Sequence, residues 1–350
     1  MAKRKGLWMG RVWQSKFTNK WSKVVCEELP RILQREKIDF IICDQLEPAV
    51  ALVADYLGIP FVTICNAMAI VMHETYPPFF TNWDYDVSER RLNINKGFYK
   101  IANFLLNRDT HILEKWRKKW GMPERIGMKR YFAYSTLATI SQQTKSIEFP
   151  LTEINADWYY CGPFRTNGLL PYSKPKLPKD EITNVYISLG TIQGARFKLF
   201  KKCAEACNEL GVRAIIVHAG LLEEKKIKEL EKIAIVYDYV KQPDIFDDCE
   251  ILISHCGLNT ALDAMSYGRP IIAIPIGIEQ GAIATKLKRI GCAIVVKKPN
   301  KKNLKQALSE VLSNAEYKEK CQLIKKEIES SGGTERAVEI IYNLINNKTS

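Results

Sequence analysis

The groups best placed for chemistry crowd into one stretch, residues 251–280, ILISHCGLNTALDAMSYGRPIIAIPIGIEQ. Its apolar start, Ile251 to Ser254, has the pattern of a buried strand, which His255-Cys256-Gly257 breaks. Asn259-Thr260 opens a helical pattern that Gly268-Arg269-Pro270 stops, and a second apolar strand, Ile271 to Ile276, runs into Gly277 and the pair Glu279-Gln280. A strand, turn, helix and strand in this order form a βαβ unit, whose loops open to the same side. His255, the first N–H groups of the helix and Glu279-Gln280 should therefore line one crevice. Those N–H groups have no partner within the helix and sit at its positive dipole end, about half a unit charge, which suits a phosphate. Taken singly, each residue also has a plainer role: His255 as a turn residue, Asn259-Thr260 as a helix cap, Gly257 and Gly268 as glycines serving turn geometry.

The surrounding sequence alternates strands and helices in the way a parallel α/β protein requires. A helical stretch to Glu36 precedes a strand Phe40 to Cys43, and a second helical run leads through Leu57-Gly58 to a strand Phe61 to Cys65. Gly97 to Trp120 reads as helix, and Ala133 to Ile140 and Trp158 to Cys161 as strands. Residues 166–183, with Pro171, Pro175 and Pro178, read as a linker between a first domain, 1–165, and a second, 184–331. In the second, strands are expected at Val185 to Leu189, Val212 to His218, Ile233 to Tyr239 and Cys292 to Val296, with helices between and after them. Gly332-Gly333 separates a terminal helix within 332–350.

At 350 residues, 46% hydrophobic and 26% charged, the chain has the composition of a soluble globular protein with room for two domains. It contains no apolar run of membrane-spanning length and no signal peptide, so a cytoplasmic location is expected. The ten cysteines form no C-x-x-C pairs. Cys203 and Cys207 lie one helical turn apart with no His or acid nearby, so packing is expected rather than a metal site or disulfide. The net charge of +13 is concentrated in places, notably Arg90 to Arg130, where Lys and Arg interleave with Phe98, Tyr99, Phe104, Trp116 and Trp120. No nucleic-acid motif accompanies this stretch. Peripheral contact with an anionic membrane is its functional reading, and an ordinary solvated helix face the plainer one.

HCGLNTALDA, the downstream P-x-x-x-EQ and the upstream Tyr239-Val240-Lys241-Gln242 together resemble the nucleotide-sugar signature of family 1 glycosyltransferases, the UDP-glycosyltransferase superfamily. The resemblance implies a GT-B fold: two Rossmann-like domains with parallel sheets and the substrates in the cleft between them. It places Tyr239 against the uracil and Gln242 against base or ribose. His255, Asn259 and Thr260 stand where the diphosphate is held, Asp263 where an acid binds ribose hydroxyls, and Glu279-Gln280 where hexose hydroxyls are read. The family more often has Glu at the ribose position and Asp at the first sugar position, so Asp263 reaches less far and Glu279 farther. Ser188 and Thr191 in SLGT match the loop that opens the family's donor domain.

Residues 44–70, DQLEPAVALVADYLGIPFVTICNAMAI, with Pro77-Pro78-Phe79, Trp83 and YISLGTIQG, resemble the bacterial carotenoid (zeaxanthin) glucosyltransferases, from about Lys37 to the end of the chain. That likeness implies an inverting transferase that moves a hexose, glucose by analogy, from a UDP-sugar to a hydroxyl of a lipophilic acceptor, with no metal and no cofactor beyond the co-substrate. In the family a His near the N-terminus takes the hydroxyl proton and an Asp orients it. Asp44 occupies the Asp position, with helix capping as its plainer role. No His precedes Asp44, and the opening MAKRKGLWMGRVWQ reads as basic and helical. The N-terminal domain is therefore expected to be incomplete, with His73 as a substitute base or a packing residue. The competing reading is a nucleotide-sugar-binding module whose N-terminal half is lost or supplied by a separate partner chain. The terminal helix is expected to pack back onto the first domain.

Overall fold

The computed structural model describes residues 2–125, 130–150, 158–165, 175, 177–193, 195–277 and 279–346, without the side chains of 2–17, 105, 108–110, 192 and 193. The first part contains α1 (Ala2–Arg35), β1 (Ile41–Asp44), α2 (Pro48–Leu57), β2 (Phe61–Cys65), α3 (Glu89–Lys119), β3 (Thr139–Ser141) and β4 (Trp158–Tyr160). The second begins with β5 (Asn184–Ser188), α4 (Gly190–Gln193), α5 (Phe197–Asn208), β6 (Arg213–Val217), α6 (Glu224–Leu230) and β7 (Ile235–Tyr237). It continues with α7 (Gln242–Phe246), β8 (Ile251–Ser254), α8 (Leu258–Ser266), β9 (Ile271–Ala273), α9 (Gln280–Arg289) and β10 (Ala293–Val295). Three helices follow: α10 (Lys301–Ser313), α11 (Glu316–Ser331) and α12 (Gly333–Asn346).

Two parallel sheets result, one ordered β1-β2-β3-β4 and one ordered β10-β9-β8-β5-β6-β7. Alternate residues of the second sheet enter opposite cores. Tyr186, Ile215 and Leu252 face α8 and α9, whereas Ile187, Ile216 and Ile253 face α5 and α10. Burial on both faces is what continuous apolar strands such as ILIS and RAIIV require. Cys203 and Cys207 are fully buried against this second core as small apolar residues. All ten cysteines are free.

The first sheet is built the same way. Pro48 starts α2 with its fixed φ, and Gly58, at φ +68°, ends it in the left-handed region. Ala337 and Ile340 of α12 pack with Val62 and Ile140 of the first sheet and with Ala138, which precedes β3. The strand expected over Ala133 to Ile140 is confined to its end, at Thr139–Ser141. Residues 133–137 are held instead by Thr63, whose hydroxyl donates to the Ala133 carbonyl and accepts the Ser135 N–H, and by Ser135, whose Oγ accepts the Leu137 N–H. These hydroxyls, together with the Ala133 N–H donating to the Gln45 carbonyl at 2.9 Å, thus take the place of a strand ladder over this segment. Of the expected linker, residues 166–174 and 176 lie outside the described residues.

The two halves are packed together through α9. Lys286 and Glu148 form an ion pair at 2.5 Å with side chains only 4% and 1% exposed. Arg289 donates to the carbonyls of Ser146 and Glu148, and Lys288 pairs with Asp84 at 2.9 Å. Met68 and Ile147 of the first half share a core with Leu258, Ala282 and Ile283 of the second.

Candidate functional site

Strand order locates the site before any side chain is considered. From β5 the chain moves outward through β6 and β7, then returns to place β8 on the other side of β5. Neighbouring loops therefore diverge above the carboxyl ends of β5 and β8, which leaves a crevice at the point where the winding reverses. Ser188 ends β5, Gly190 and Thr191 begin α4, and His255 follows β8. All sit at that reversal.

His255 occupies a slot made by two glycines. A Cβ on Gly190 would lie 2.7 Å from its Cε1 and Nε2, and one on Gly257 would lie 2.6 Å from Nε2. Gly190 also has φ +75°, a conformation side chains seldom tolerate, whereas Gly257 has an ordinary φ of −65°. The ring contacts Ser254 Oγ through Nδ1 at 3.4 Å and hydrogen-bonds the Ser188 backbone. Burial pushes its pKa below the ordinary 6.5, so the imidazole is neutral at pH 7. Beside it no side chain caps the first turn of α8, whose N-cap is Gly257. The turn's N–H groups and the imidazole lie side by side, an arrangement suited to an anion.

The remaining signature residues lie around this slot. Gln242, at the start of α7, donates to Thr260 Oγ1 at 3.1 Å, and Tyr239 stands 57% exposed just beyond β7. Its loop is braced by buried His218, whose Nδ1 accepts the Leu222 N–H and whose Nε2 lies 2.8 Å from Asp238. Glu279 is exposed. Gln280 is buried, and its Oε1 accepts the N–H groups of Ile276 and Gly277 at 2.9 and 2.6 Å. That leaves the Gln280 carboxamide nitrogen as its group for a ligand.

Two residues that the sequence did not single out complete the site from the first half. Arg165 donates to Asp263 at 2.6 Å, to the Asn259 carbonyl at 3.2 Å and to Gln142 Oε1 at 3.2 Å. Gln142, just past β3, donates to Asn259 Oδ1 at 3.1 Å. Burial raises the Asp263 carboxyl above its usual range, and Arg165 opposes that shift. Neither residue belongs to a motif, and the contact spans ninety-eight positions; only the meeting of the two sheets' carboxyl ends brings them to α8.

Asp44 lies at the end of β1, where its Oδ1 accepts the Leu46 N–H at 2.8 Å. That is the local turn role expected of an Asp before a helix. His73 contacts Thr75 Oγ1 through Nδ1 at 2.8 Å and lines a cavity beside α3. Among the described residues no cluster of three His, Cys, Asp or Glu side chains could hold a metal ion, and no helix is long and apolar enough to cross a membrane.

Residues 179–326 match the family model described as UDP-glucoronosyl and UDP-glucosyl transferase. The zeaxanthin glucosyltransferase of Pantoea ananas is 29% identical over 329 residues, covering 92% of this chain and 75% of that protein. The enzyme of the same name from Pseudescherichia vulneris is 29% identical, covering 92% and 78%. Among solved structures, the kitacinnamycin glycosyltransferase superposes with a TM-score of 0.77 at 16% identity, over 95% of this chain and 82% of that one. This last likeness establishes the fold.

Proposed function

This chain belongs to the UDP-glycosyltransferase family and has the GT-B fold, and from that premise we propose that it moves a hexose, glucose by analogy with its relatives, from a UDP-sugar to a hydroxyl of a lipophilic acceptor such as a carotenoid. The observation that carries the donor half is the neutral imidazole of His255, seated between Gly190 and Gly257 at the uncapped start of α8. In this reading the diphosphate lies across that slot and receives hydrogen bonds from the helix N–H groups, His255, Asn259 and Thr260. Negative charge grows there as the sugar leaves, so donors fixed beforehand stabilise the transition state more than the ground state. Tyr239 stacks on the base and Gln242 reaches base or ribose. Asp263 receives the ribose hydroxyls while Arg165 holds its charge, and Ser188 and Thr191 close the opposite wall. Glu279 and the Gln280 amide read the hexose. The acceptor approaches from the first half, where Asp44 is the orienting acid, and attack inverts the anomeric carbon.

A second reading has these 350 residues bind the nucleotide sugar while the base comes from another polypeptide. It is favoured by β1, which among the described residues pairs only with β2 and presents Ile42, 58% exposed, at an open sheet edge, with Leu46 just past the strand 52% exposed. Titration calorimetry with UDP-glucose, followed by a transfer assay with zeaxanthin, separates the two. Binding with transfer supports the first, and binding without transfer the second. No binding of UDP-glucose refutes both.

A further inference from the structure

We propose that the outer face of α3, with the basic cavity beside it, is a docking surface for an anionic phospholipid bilayer. Asn95, Tyr99, Ala102, Leu113 and Arg117 are buried, which defines the inward side of the helix. The opposite side carries Phe98, Ile101 and Phe104, which are 37%, 57% and 77% exposed. Three large apolar groups at helical spacing, turned to water, form a ridge that soluble surfaces ordinarily avoid. Phe98 is set by an edge-to-face contact with Trp83, whose ring also carries Arg91 at 5.2 Å. The ridge is thus anchored at one end.

Positive charge surrounds it. Along α3 the sequence has nine Lys and Arg against three Asp and Glu. Beside the ridge opens a cavity of about 530 Å³ lined by Lys96, Lys100, Asn103, Arg125 and Arg130, with Glu74 and Glu124 as its acids. Asn103 Oδ1 is buried without a hydrogen-bond partner among the described residues. Lys96 pairs with Glu74 at 3.1 Å, Arg125 with Asp55 at 2.5 Å and Arg130 with Glu114 at 3.5 Å, so a headgroup phosphate would meet the Lys100 ammonium and the remaining donors of these three, with its hydroxyl or ammonium donor toward Asn103. Charge also decides between occupants. A second copy meeting this face symmetrically would set the same basic helix against itself, and a double-stranded nucleic acid has no apolar layer to receive Phe104. A bilayer with anionic lipid satisfies both the ridge and the charge.

Co-sedimentation of the whole chain with phosphatidylcholine vesicles, and with vesicles containing about one-third phosphatidylglycerol, tests this. Binding is expected only to the anionic vesicles and should weaken as salt rises through the physiological range. Phe104→Ser combined with Ile101→Ser should lower partitioning by about tenfold or more, from the apolar area withdrawn. Lys100→Glu combined with Lys115→Glu should do the same, at about a factor of five per charge removed, and should flatten the salt dependence. All four side chains are exposed and lie outside the donor site, so UDP-glucose affinity serves as the control for folding. Equal partitioning into both vesicle types, no partitioning into either, or a dimer in light scattering that Phe104→Ser dissolves would each overturn the proposal.

Discussion

Three glycine substitutions separate the parts of the His255 argument. Gly190→Ala places a methyl group 2.7 Å from the imidazole at a residue with φ +75°, so it combines backbone strain with a clash. Gly257→Ala introduces the clash alone, at 2.6 Å and φ −65°. Gly211→Ala introduces the strain alone, because φ is +69° and nothing lies within 4 Å of the new carbon. Left-handed backbone costs an alanine about 1–2 kcal/mol, so Gly190→Ala and Gly211→Ala should share that loss of stability. Displacing the ring removes a hydrogen bond to a charged group, worth about 1.5–3 kcal/mol, or roughly 10- to 150-fold in affinity. Thermal melts and UDP-glucose calorimetry on the three variants should thus give a crossed pattern. Gly211→Ala melts lower yet binds normally, Gly257→Ala binds at least tenfold more weakly, and Gly190→Ala shows both defects. Wild-type affinity in Gly257→Ala would refute the placement of the diphosphate against His255.

Binding of UDP-glucose should take up protons near the ordinary imidazole pKa of 6.5, because burial lowers the His255 pKa from that value and a diphosphate beside it raises it again. Calorimetry in buffers of different ionisation enthalpy measures the uptake, which His255→Gln should abolish. Without ligand the same shift has the opposite consequence: below about pH 6.5 the unfolded chain takes a proton that the folded one resists, so this contribution to stability is lost as pH falls. Removing Arg165 should let burial raise the Asp263 carboxyl further. Donor affinity in Arg165→Ala should then fall on acidification at a higher pH than in the wild type, and coincident pH profiles would exclude the pairing from donor binding. Lys286→Met leaves Glu148 charged and buried without its partner, a loss of about 3–5 kcal/mol in denaturant titration. Adding Glu148→Gln should recover most of that, and strictly additive losses would deny the interdomain pair. Tyr239→Ala should weaken UDP-glucose binding by about 1–3 kcal/mol if the ring stacks on the base, and an unchanged affinity would remove it from the site.

The local elements were legible because their signals are local. Two apolar strands around a helix that starts at a glycine and stops at Gly268-Arg269-Pro270 declare a βαβ unit, and β2 and β8 lie where periodicity and turn residues put them. The segment before β3 was not legible. Its residues have strand propensity, but Thr63, seventy positions away, takes the hydrogen bonds a ladder would have used. Signature residues at fixed spacing marked a candidate donor site from the chain alone, yet their present partners were not legible there. Gln280 reads as a ligand group, and only the folded loop shows that its oxygen already binds Ile276 and Gly277. What the sequence by itself determined is therefore the kind of unit, the order of its strands along the chain and the signature residues at the strand ends. The tertiary structure alone decided that Arg165 and Gln142 reach α8, that Glu148 meets Lys286 inside the interface, and that His255 fits only between two glycines. Those contacts join positions far apart in the chain, and no short-range pattern encodes a distance that packing of two separate sheets creates.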